Sequence, residues 1–201
     1  MDLPQLYRIV TDFGDQGVIL PLVTLVAIGL FVLGERRAAL WWCLAIAVSL
    51  GGAFVAKIVF IPCGHLVPGL DLRSPSGHMA AATAAYGGLA VLVAKAAGRR
   101  RATAAALGLA GLAALAIGVT RVVLGAHTAS ETVLGAAIGL AAPLILAVPR
   151  HLIRGQLTWR GAWLLLIPLG LVFAFHGVEL GLEWRIDRLA LSLAASLGVC
   201  G

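Results

Sequence analysis

The chain has 201 residues, of which 61% are hydrophobic and only 12% are charged, and its formal net charge is +6. This balance excludes an ordinary water-soluble domain, in which about a quarter of the residues are charged. The composition alone therefore indicates a membrane protein.

A helix needs roughly 20 consecutive apolar residues to cross the hydrocarbon core of a bilayer. Six segments meet that requirement, and the last of them is the shortest: residues 17–34, 38–61, 78–97, 102–124, 127–148 and 161–175. Because the connections between them are short, we expect an all-α fold, a polytopic membrane protein built as a six-transmembrane helix bundle. The sequence predicts one domain over residues 1–201, with its transmembrane core at 17–178.

Both ends of the chain are predicted to form amphipathic helices, at residues 1–16 and 179–201. In the first, Leu3 and Leu6 share one helical face, while polar residues that include Asp15 occupy the other. Such helices either lie in the membrane interface or form a polar cap on the bundle. The N-terminal segment lacks the basic start of a signal peptide, so we expect it to remain on the mature chain.

The distribution of basic residues predicts the orientation of the bundle. The loops after spans one, three and five hold nine of the fifteen lysines and arginines and a single acid, Glu35. By the positive-inside rule that side is cytoplasmic, which puts both termini on the extracytoplasmic side of a bacterial inner membrane. The positive charge thus reflects topology, and no nucleic-acid partner is expected. The nine residues are Arg36, Arg37, Lys95, Arg99, Arg100, Arg101, Arg150, Arg154 and Arg160.

Ionisable residues collect at the helix ends on the predicted outer side. Lys57 lies near the end of span two and Arg121 near the end of span four, while His78 begins span three and His127 begins span five. Ionisable side chains at membrane depth are costly unless they are paired or face a wet cavity. One such residue alone is often a snorkelling side chain or half of an ion pair, but four together favour a functional site.

Residues 75–78, Pro-Ser-Gly-His, are suited to hold a phosphate. The segment opens a predicted helix, whose free backbone N–H groups and positive dipole end attract an anion. Gly77 lets the backbone approach the anion closely, and the hydroxyl of Ser76 can donate to a phosphate oxygen or simply cap the helix. His78 can donate a proton to a leaving oxygen, because histidine titrates near neutral pH.

Residues 120–131 add a candidate nucleophile. His127 and Glu131 are four residues apart and would share a helical face, so the carboxylate can hold one ring nitrogen and leave the other free to attack phosphorus. Arg121 precedes the histidine across a turn at Gly125 and can direct its guanidinium to the same phosphate. A histidine that only caps a helix is the alternative, and the spacing and the neighbouring residues count against it.

These residues resemble the type 2 phosphatidic acid phosphatase family of six-span membrane enzymes, whose signatures are KxxxxxxRP, PSGH and SRxxxxxHxxxD. The second signature matches in full at residues 75–78. In the third, Arg121 and His127 match at the family spacing. Thr120 replaces the serine of that signature, and Glu131 replaces its aspartate.

The resemblance implies hydrolysis of a lipid phosphate or lipid pyrophosphate through a phosphohistidine, with no metal and no other cofactor. It implies His127 as nucleophile, Glu131 as the residue that orients it and His78 as general acid. The phosphate ligands that it implies are Lys57, Ser76, Gly77 and Arg121. The expected partners are a lipid phosphate substrate and membrane lipids. A lipid phosphotransferase on the same site and a non-catalytic lipid-binding protein stay open as alternatives.

The first signature is broken in this chain. Counting from Lys57, Gly64 and His65 stand where the family has arginine and proline, so one guanidinium of the phosphate clamp is missing. We consider Arg73 the better candidate to replace it, because it lies in the loop that leads to Ser76 and stays charged at every relevant pH. His65 is the second candidate.

Two further features concern structure. Three cysteines, an odd number, favour free thiols, although Cys63 and Cys200 both fall on the predicted outer side and could pair. Gly135 and Gly139 form a GxxxG motif, which permits close helix contact. We expect that contact inside the bundle rather than between subunits.

Overall fold

The computed structural model describes residues 2–63, 72–98, 100–153, 170, 174 and 181–198. This part of the chain is helical, and no strand occurs in it. The helices with described bounds are α1 (Leu3–Asp12), α2 (Gln16–Val32), α3 (Arg36–Cys63), α4 (Gly77–Ala97), α5 (Arg100–Val123), α6 (Ala129–Gly139), α7 (Ala141–Ala147) and α8 (Leu182–Leu197).

Within the described ranges, five stretches are long and apolar enough to cross a membrane. The first, Leu3–Val32, joins α1 and α2 through a short turn, and the last, Ala129–Ala147, joins α6 and α7; α3, α4 and α5 are the other three. The predicted all-α membrane bundle is confirmed. Nearly all of the predicted sixth span, residues 161–175, lies outside the described residues.

Helix α4 is the centre of the bundle and packs against α2, α3, α5, α6 and α7. Residues 80–85, near its start, are alanines and one threonine, and all of them are buried. Small side chains let neighbouring helix backbones come close, so α4 is covered on every side. Its first turn is therefore held firmly in place by its neighbours.

The GxxxG motif of α6 packs on α4, inside the bundle as expected. A Cβ atom at Gly135 would collide with the backbone oxygen of Ser76, and one at Gly139 with that of Ala80. The backbones of the two helices thus touch along α6, and near the start of α6 the backbone oxygen of Glu131 accepts from the N–H of Ser76 at 3.0 Å. This contact brings the two signature segments together.

Large apolar side chains fill the core and also cover the outside of the bundle. Trp42 is the largest fully buried side chain among the described residues, and its indole N–H donates to the backbone oxygen of Val23 at 2.9 Å. On the outer surface of α5, Leu109, Leu112 and Leu115 are 68%, 64% and 62% exposed. Contiguous apolar surface of this kind is unfavourable in water and suits contact with lipid.

Lys95 lies at the end of the bundle opposite the Pro-Ser-Gly-His segment. Its ammonium donates to the backbone oxygens of Ala147 at 3.0 Å and Pro149 at 2.6 Å, where α4 and α7 end together. His78 lies in the first turn of the same helix, which has 21 residues. At about 1.5 Å per residue, α4 spans roughly the 30 Å thickness of a bilayer core.

The expectation of free cysteines is wrong for one residue. Cys43 is free, but Cys63, at the end of α3, is disulfide-bonded. An odd number of cysteines excludes complete pairing but does not exclude one pair, which is why the count misled. Cys200 lies outside the described residues.

Candidate active site

The Pro-Ser-Gly-His segment opens α4, as predicted. Ser76 is the N-cap of the helix: it is buried, and its hydroxyl accepts from the backbone N–H of Met79 at 3.4 Å. Its side chain is thus engaged in capping, the structural role expected of a serine at this position. The backbone N–H groups of Gly77 and His78 follow in the first turn, where no helical bond uses them.

His127 and Glu131 form a hydrogen-bonded pair. Nδ1 of the histidine lies 3.0 Å from Oε2 of the carboxylate, and the side chains are only 8% and 6% exposed. The two do not share a helix, because α6 begins at Ala129; the prediction that His127 begins the helix is wrong. Thr128 is the N-cap instead, so the histidine lies in the preceding turn.

A capping box at the start of α6 produces the contact between these two residues. The hydroxyl of Thr128 accepts from the backbone N–H of Glu131 at 3.3 Å, and the carboxylate of Glu131 accepts from the backbone N–H of Thr128 at 3.1 Å. The carboxylate is thereby turned back past the cap, toward His127. Glutamate is the acid that a capping box uses at this position, which gives a structural reason for Glu131 where the family signature has aspartate.

The other carboxylate oxygen of Glu131 holds the loop before α4. Oε1 accepts from the backbone N–H groups of Arg73 at 2.7 Å and Ser74 at 2.8 Å. With the two contacts of Oε2, four donors surround this buried charge, as a buried carboxylate requires. Glu131 therefore positions His127 and the loop that leads to α4 at the same time.

Two predicted phosphate ligands and the predicted general acid converge on a carboxylate that was not among the predicted site residues, Glu183 in the first turn of α8. Its Oε1 lies 3.6 Å from Nζ of Lys57 and 3.4 Å from Nδ1 of His78. Its Oε2 lies 3.6 Å from Nη2 of Arg121. A Cβ atom at Gly77 would lie 2.9 Å from Oε1, so the carboxylate rests on the bare backbone at the start of α4.

These contacts define an anion site. Burial by itself raises the pKa of the Glu183 carboxyl, but the hydrogen bond with His78 and the charges of Lys57, His78 and Arg121 outweigh burial and hold the pKa far below its usual range. The Nε atom of Arg121 is buried and has no hydrogen-bond partner among the described residues. The site thus keeps a donor beyond those that Glu183 uses.

The surroundings of His127 favour the neutral form of its ring. Burial holds its pKa below the usual value, and the nearby charges of Arg121 and Lys57 act in the same direction, whereas the hydrogen bond to Glu131 raises it. When Nδ1 donates to Glu131, the lone pair of the neutral ring lies on Nε2. The geometry therefore leaves one ring nitrogen available as a nucleophile.

His78 has a second carboxylate partner, Asp15, in the turn between α1 and α2. Oδ2 of Asp15 lies 3.3 Å from Nε2 of His78, and Oδ1 accepts from the backbone N–H of Gly17 at 2.6 Å as the N-cap of α2. Gly14 lets this turn cross α4 closely, since a Cβ there would lie 3.3 Å from that of His78. Because Asp15 precedes an apolar run, the sequence predicts that a helix starts there. It does not predict the contact of Asp15 with His78.

The loop before α4 contacts the site through Lys57 and Glu131. Lys57 is buried, and its ammonium donates to the hydroxyl of Ser74 at 3.2 Å. The backbone N–H of Arg73 is held by Glu131, while its guanidinium is exposed. Gly64 and His65 lie outside the described residues. In the part of the chain that the structure describes, no three His, Cys, Asp or Glu side chains are grouped to hold a metal ion.

The fold and this site define the class of protein: a helical membrane bundle that carries paired histidines around an anion site at one end. Residues 38–153 match the family model of the PAP2 superfamily. The match covers more than half of the chain, which therefore belongs to the PAP2 superfamily, and at a coarse level it is a phosphatase that acts on a phosphate-containing substrate. No curated protein and no solved structure matches the chain. Asp15 and Glu183 both lie outside the matched segment.

Proposed function

We propose that the protein hydrolyses a lipid phosphate or lipid pyrophosphate through a phosphohistidine formed on His127. The observation that carries this proposal is the convergence of Lys57, His78 and Arg121 on the Glu183 carboxylate. The two oxygens of that carboxylate stand in for two oxygens of a substrate phosphate. The Glu183 charge raises the pKa of His127, which supports a position of this ring beside the same site.

Phosphate binding would use the groups that now hold Glu183. Lys57 and Arg121 supply charge-assisted hydrogen bonds, and the bare backbone at Gly77 adds the N–H groups and the positive dipole end of α4. The unpartnered Nε of Arg121 offers a third contact to the larger phosphate. Because these groups already provide the positive charge, the reaction scheme requires no metal ion.

In the first chemical step, the lone pair of His127 Nε2 attacks phosphorus in line with the leaving oxygen. The N–P bond forms, the P–O bond to the leaving group breaks, and Nδ1 of His78 donates its proton to the departing oxygen. Glu131 stabilises the positive charge that develops on the ring of His127. In the second step, His78 takes a proton from water, the water oxygen attacks phosphorus, and the N–P bond breaks to release phosphate.

An apolar groove beside the site supports a lipid substrate. A cavity of about 180 Å³ lies next to Lys57 and Gly77 and continues along apolar side chains that include Leu20, Leu50 and Phe54, between α2 and α3. A hydrocarbon chain in this groove would place its phosphate at the lysine. The groove buries apolar surface only if the substrate carries a tail, which favours a lipid over a soluble phosphate ester.

We also propose that the site faces the extracytoplasmic side of a bacterial-type inner membrane. Arg36, Arg37, Arg100 and Arg101 begin helices at the opposite end of the bundle, as the positive-inside rule requires of a cytoplasmic face. The disulfide of Cys63 lies at the site end of α3. Disulfides persist in oxidising compartments such as the periplasm, which supports the same orientation.

A phosphate-release assay tests the function. The purified full-length protein in lipid nanodiscs would be given phosphatidic acid, phosphatidylglycerol phosphate, a polyprenyl diphosphate and lipid A phosphates in turn, beside the variant His127→Ala. We expect release from at least one lipid, none from the variant, and transient labelling of the wild-type protein by ³²P in an acid-labile form. Label found on an acceptor lipid would indicate a phosphotransferase instead. Release that persists in His127→Ala would refute the mechanism.

A further inference from the structure

Glu183 occupies the place that the proposed mechanism gives to the substrate phosphate. The same three side chains, Lys57, His78 and Arg121, contact its oxygens, and it rests on the same glycine backbone. Two anions cannot share these contacts, since like charges a few ångströms apart repel strongly at a partly buried site. The carboxylate must therefore leave before a phosphate can bind.

Helix α8, which carries Glu183, buries few of its own described side chains against the bundle. It packs against α3, but Ala190 is the only fully buried residue among its described side chains. Leu189, Leu191 and Leu197 are 42%, 55% and 71% exposed. Elements with few buried apolar contacts separate from the rest of a fold at low free-energy cost. The charged contacts of Glu183 are thus a large part of what holds the start of α8 on the site.

We propose that Glu183 is an intramolecular competitor of the phosphate and thereby determines which phosphates the enzyme accepts. This inference rests on the proposed function. If the site is open in only a fraction of the molecules, the apparent affinity for every phosphate is reduced by that fraction. A lipid phosphate confined to the membrane reaches the site at high effective concentration and displaces the carboxylate. Inorganic phosphate and soluble phosphate esters lack that advantage and are excluded.

The charges around Glu183 also bear on how its carboxylate would be released. The surrounding charges hold that pKa far below its usual range, so the group stays ionised across the physiological pH range. Protonation therefore does not open the site, and exchange with another anion does. The return of the carboxylate after hydrolysis would in turn help to expel the product phosphate.

Equilibrium binding of inorganic phosphate and of orthovanadate to the full-length protein in nanodiscs tests this inference without any need for turnover. Glu183→Gln keeps the shape of the side chain and removes its charge. We expect it to tighten phosphate binding by about tenfold or more. Asp187→Asn removes the same charge one turn further along α8 and should change the binding less than twofold. Unchanged or weaker phosphate binding by Glu183→Gln would overturn the inference.

The unfolding temperature, measured with and without phosphate, tests the same inference if Glu183→Gln is less stable than the wild type. Loss of the charged contacts should lower the unfolding temperature of Glu183→Gln, and phosphate should raise that temperature more in the variant than in the wild type. Glu183→Ala should behave in the same way. If phosphate stabilised the wild type as much as either variant, the carboxylate would not compete with phosphate.

Measurements of enzymatic turnover distinguish a failure of this inference from a failure of the proposed function. At a concentration below its KM, the soluble ester p-nitrophenyl phosphate should be hydrolysed faster by Glu183→Gln than by the wild type. The rate with a lipid at saturating surface density should change less, because such a lipid already displaces the carboxylate. If the variant binds phosphate more tightly but neither form hydrolyses a lipid, the competitor role stands and the lipid phosphatase proposal fails. If the wild type hydrolyses lipid and the variant loses activity on both substrates, the competitor role is wrong and the phosphatase proposal stands.

Discussion

Two histidine–carboxylate pairs lie on either side of one anion site, and they differ in how they are built. In the pair His127–Glu131, Nδ1 faces the carboxylate at 3.0 Å. In the pair His78–Asp15, Nε2 faces the carboxylate at 3.3 Å, and Nδ1 faces the carboxylate that stands in for phosphate. The same pairing of side chains thus presents a different ring nitrogen to the site in each case.

The two carboxylates also differ in how firmly they are held. Glu131 has four hydrogen-bond donors around it and connects α6 to the loop before α4 within the family segment. Asp15 has the backbone N–H of Gly17 and the ring of His78, and it comes from a turn outside that segment. A rigid partner suits a nucleophile that must stay aimed at phosphorus. A partner with fewer contacts suits a histidine that gains and loses a proton in every cycle.

Replacement of each histidine by alanine gives the largest expected effects and tests the division of roles. His127→Ala should lower kcat for every substrate by about a thousandfold or more, because the proposed mechanism forms the N–P bond on this ring. His78→Ala should lower kcat by about 10²- to 10⁴-fold when the leaving group is a lipid alkoxide. It should cost far less with p-nitrophenyl phosphate, whose leaving group departs without a proton. Equal losses on both substrates for both variants would contradict the assignment.

Glu131→Gln should reduce kcat by a smaller factor, about 10², and should also change the pH profile. In the proposed mechanism His127 attacks only when neutral, so the rate should fall as the pH drops through its pKa, which burial already holds below the ordinary value of 6.5. The hydrogen bond with Glu131 raises that pKa. Its loss should therefore move the acid limb of kcat/KM to lower pH.

The conservative variant Glu131→Asp provides the control for this prediction. It keeps the negative charge but shortens the side chain by one methylene, so the carboxylate no longer reaches the capping box and His127 together. The rate should fall while the acid limb moves less than in Glu131→Gln. A pH profile unaffected by either variant would show that Glu131 has only a structural role.

The sequence predicts the part of the site that depends on local pattern and on the order of the spans. Lys57, Arg121 and the start of α4 meet because alternate helix ends of a short-looped bundle lie on the same side, and that arrangement follows from hydropathy. The start of α6 can also be predicted from the sequence, since Thr128 and Glu131 have the spacing of a capping box. Reading that spacing would have placed His127 outside the helix.

The contacts of Asp15 and Glu183 could not be predicted in this way. Glu183 lies 105 positions from His78 in the chain, and it reaches the site because α8 docks on α3, which depends on packing that no local pattern encodes. An acid in the first turn of an amphipathic helix ordinarily faces solvent and favours the helix dipole. The sequence likewise predicts Asp15 as an N-cap. Its contact with His78 arises only because Gly14 allows the turn to cross α4.

Asp15→Asn should have a moderate effect that is confined to the step in which His78 acts. Asparagine is as good an N-cap as aspartate, so the stability of α2 should be kept while the charge next to His78 is lost. We expect about a tenfold loss of kcat with a lipid substrate and little loss with p-nitrophenyl phosphate. Asp15→Ala removes the cap as well and should also lower the unfolding temperature. A tenfold loss on both substrates would place Asp15 outside the acid step.

Arg73→Ala should have the smallest effect, because the guanidinium is exposed and the bond from its backbone to Glu131 does not depend on the side chain. If Arg73 replaces the missing arginine of the first signature, its contact to phosphate crosses solvent and is screened. We therefore expect KM to rise a few-fold with kcat unchanged, as for an interaction equally strong in the ground state and the transition state. Arg8→Ala, a change of the same kind at an exposed position on α1, serves as control and should leave KM unchanged. A KM unaltered by Arg73→Ala would assign the phosphate clamp to Lys57 and Arg121 alone.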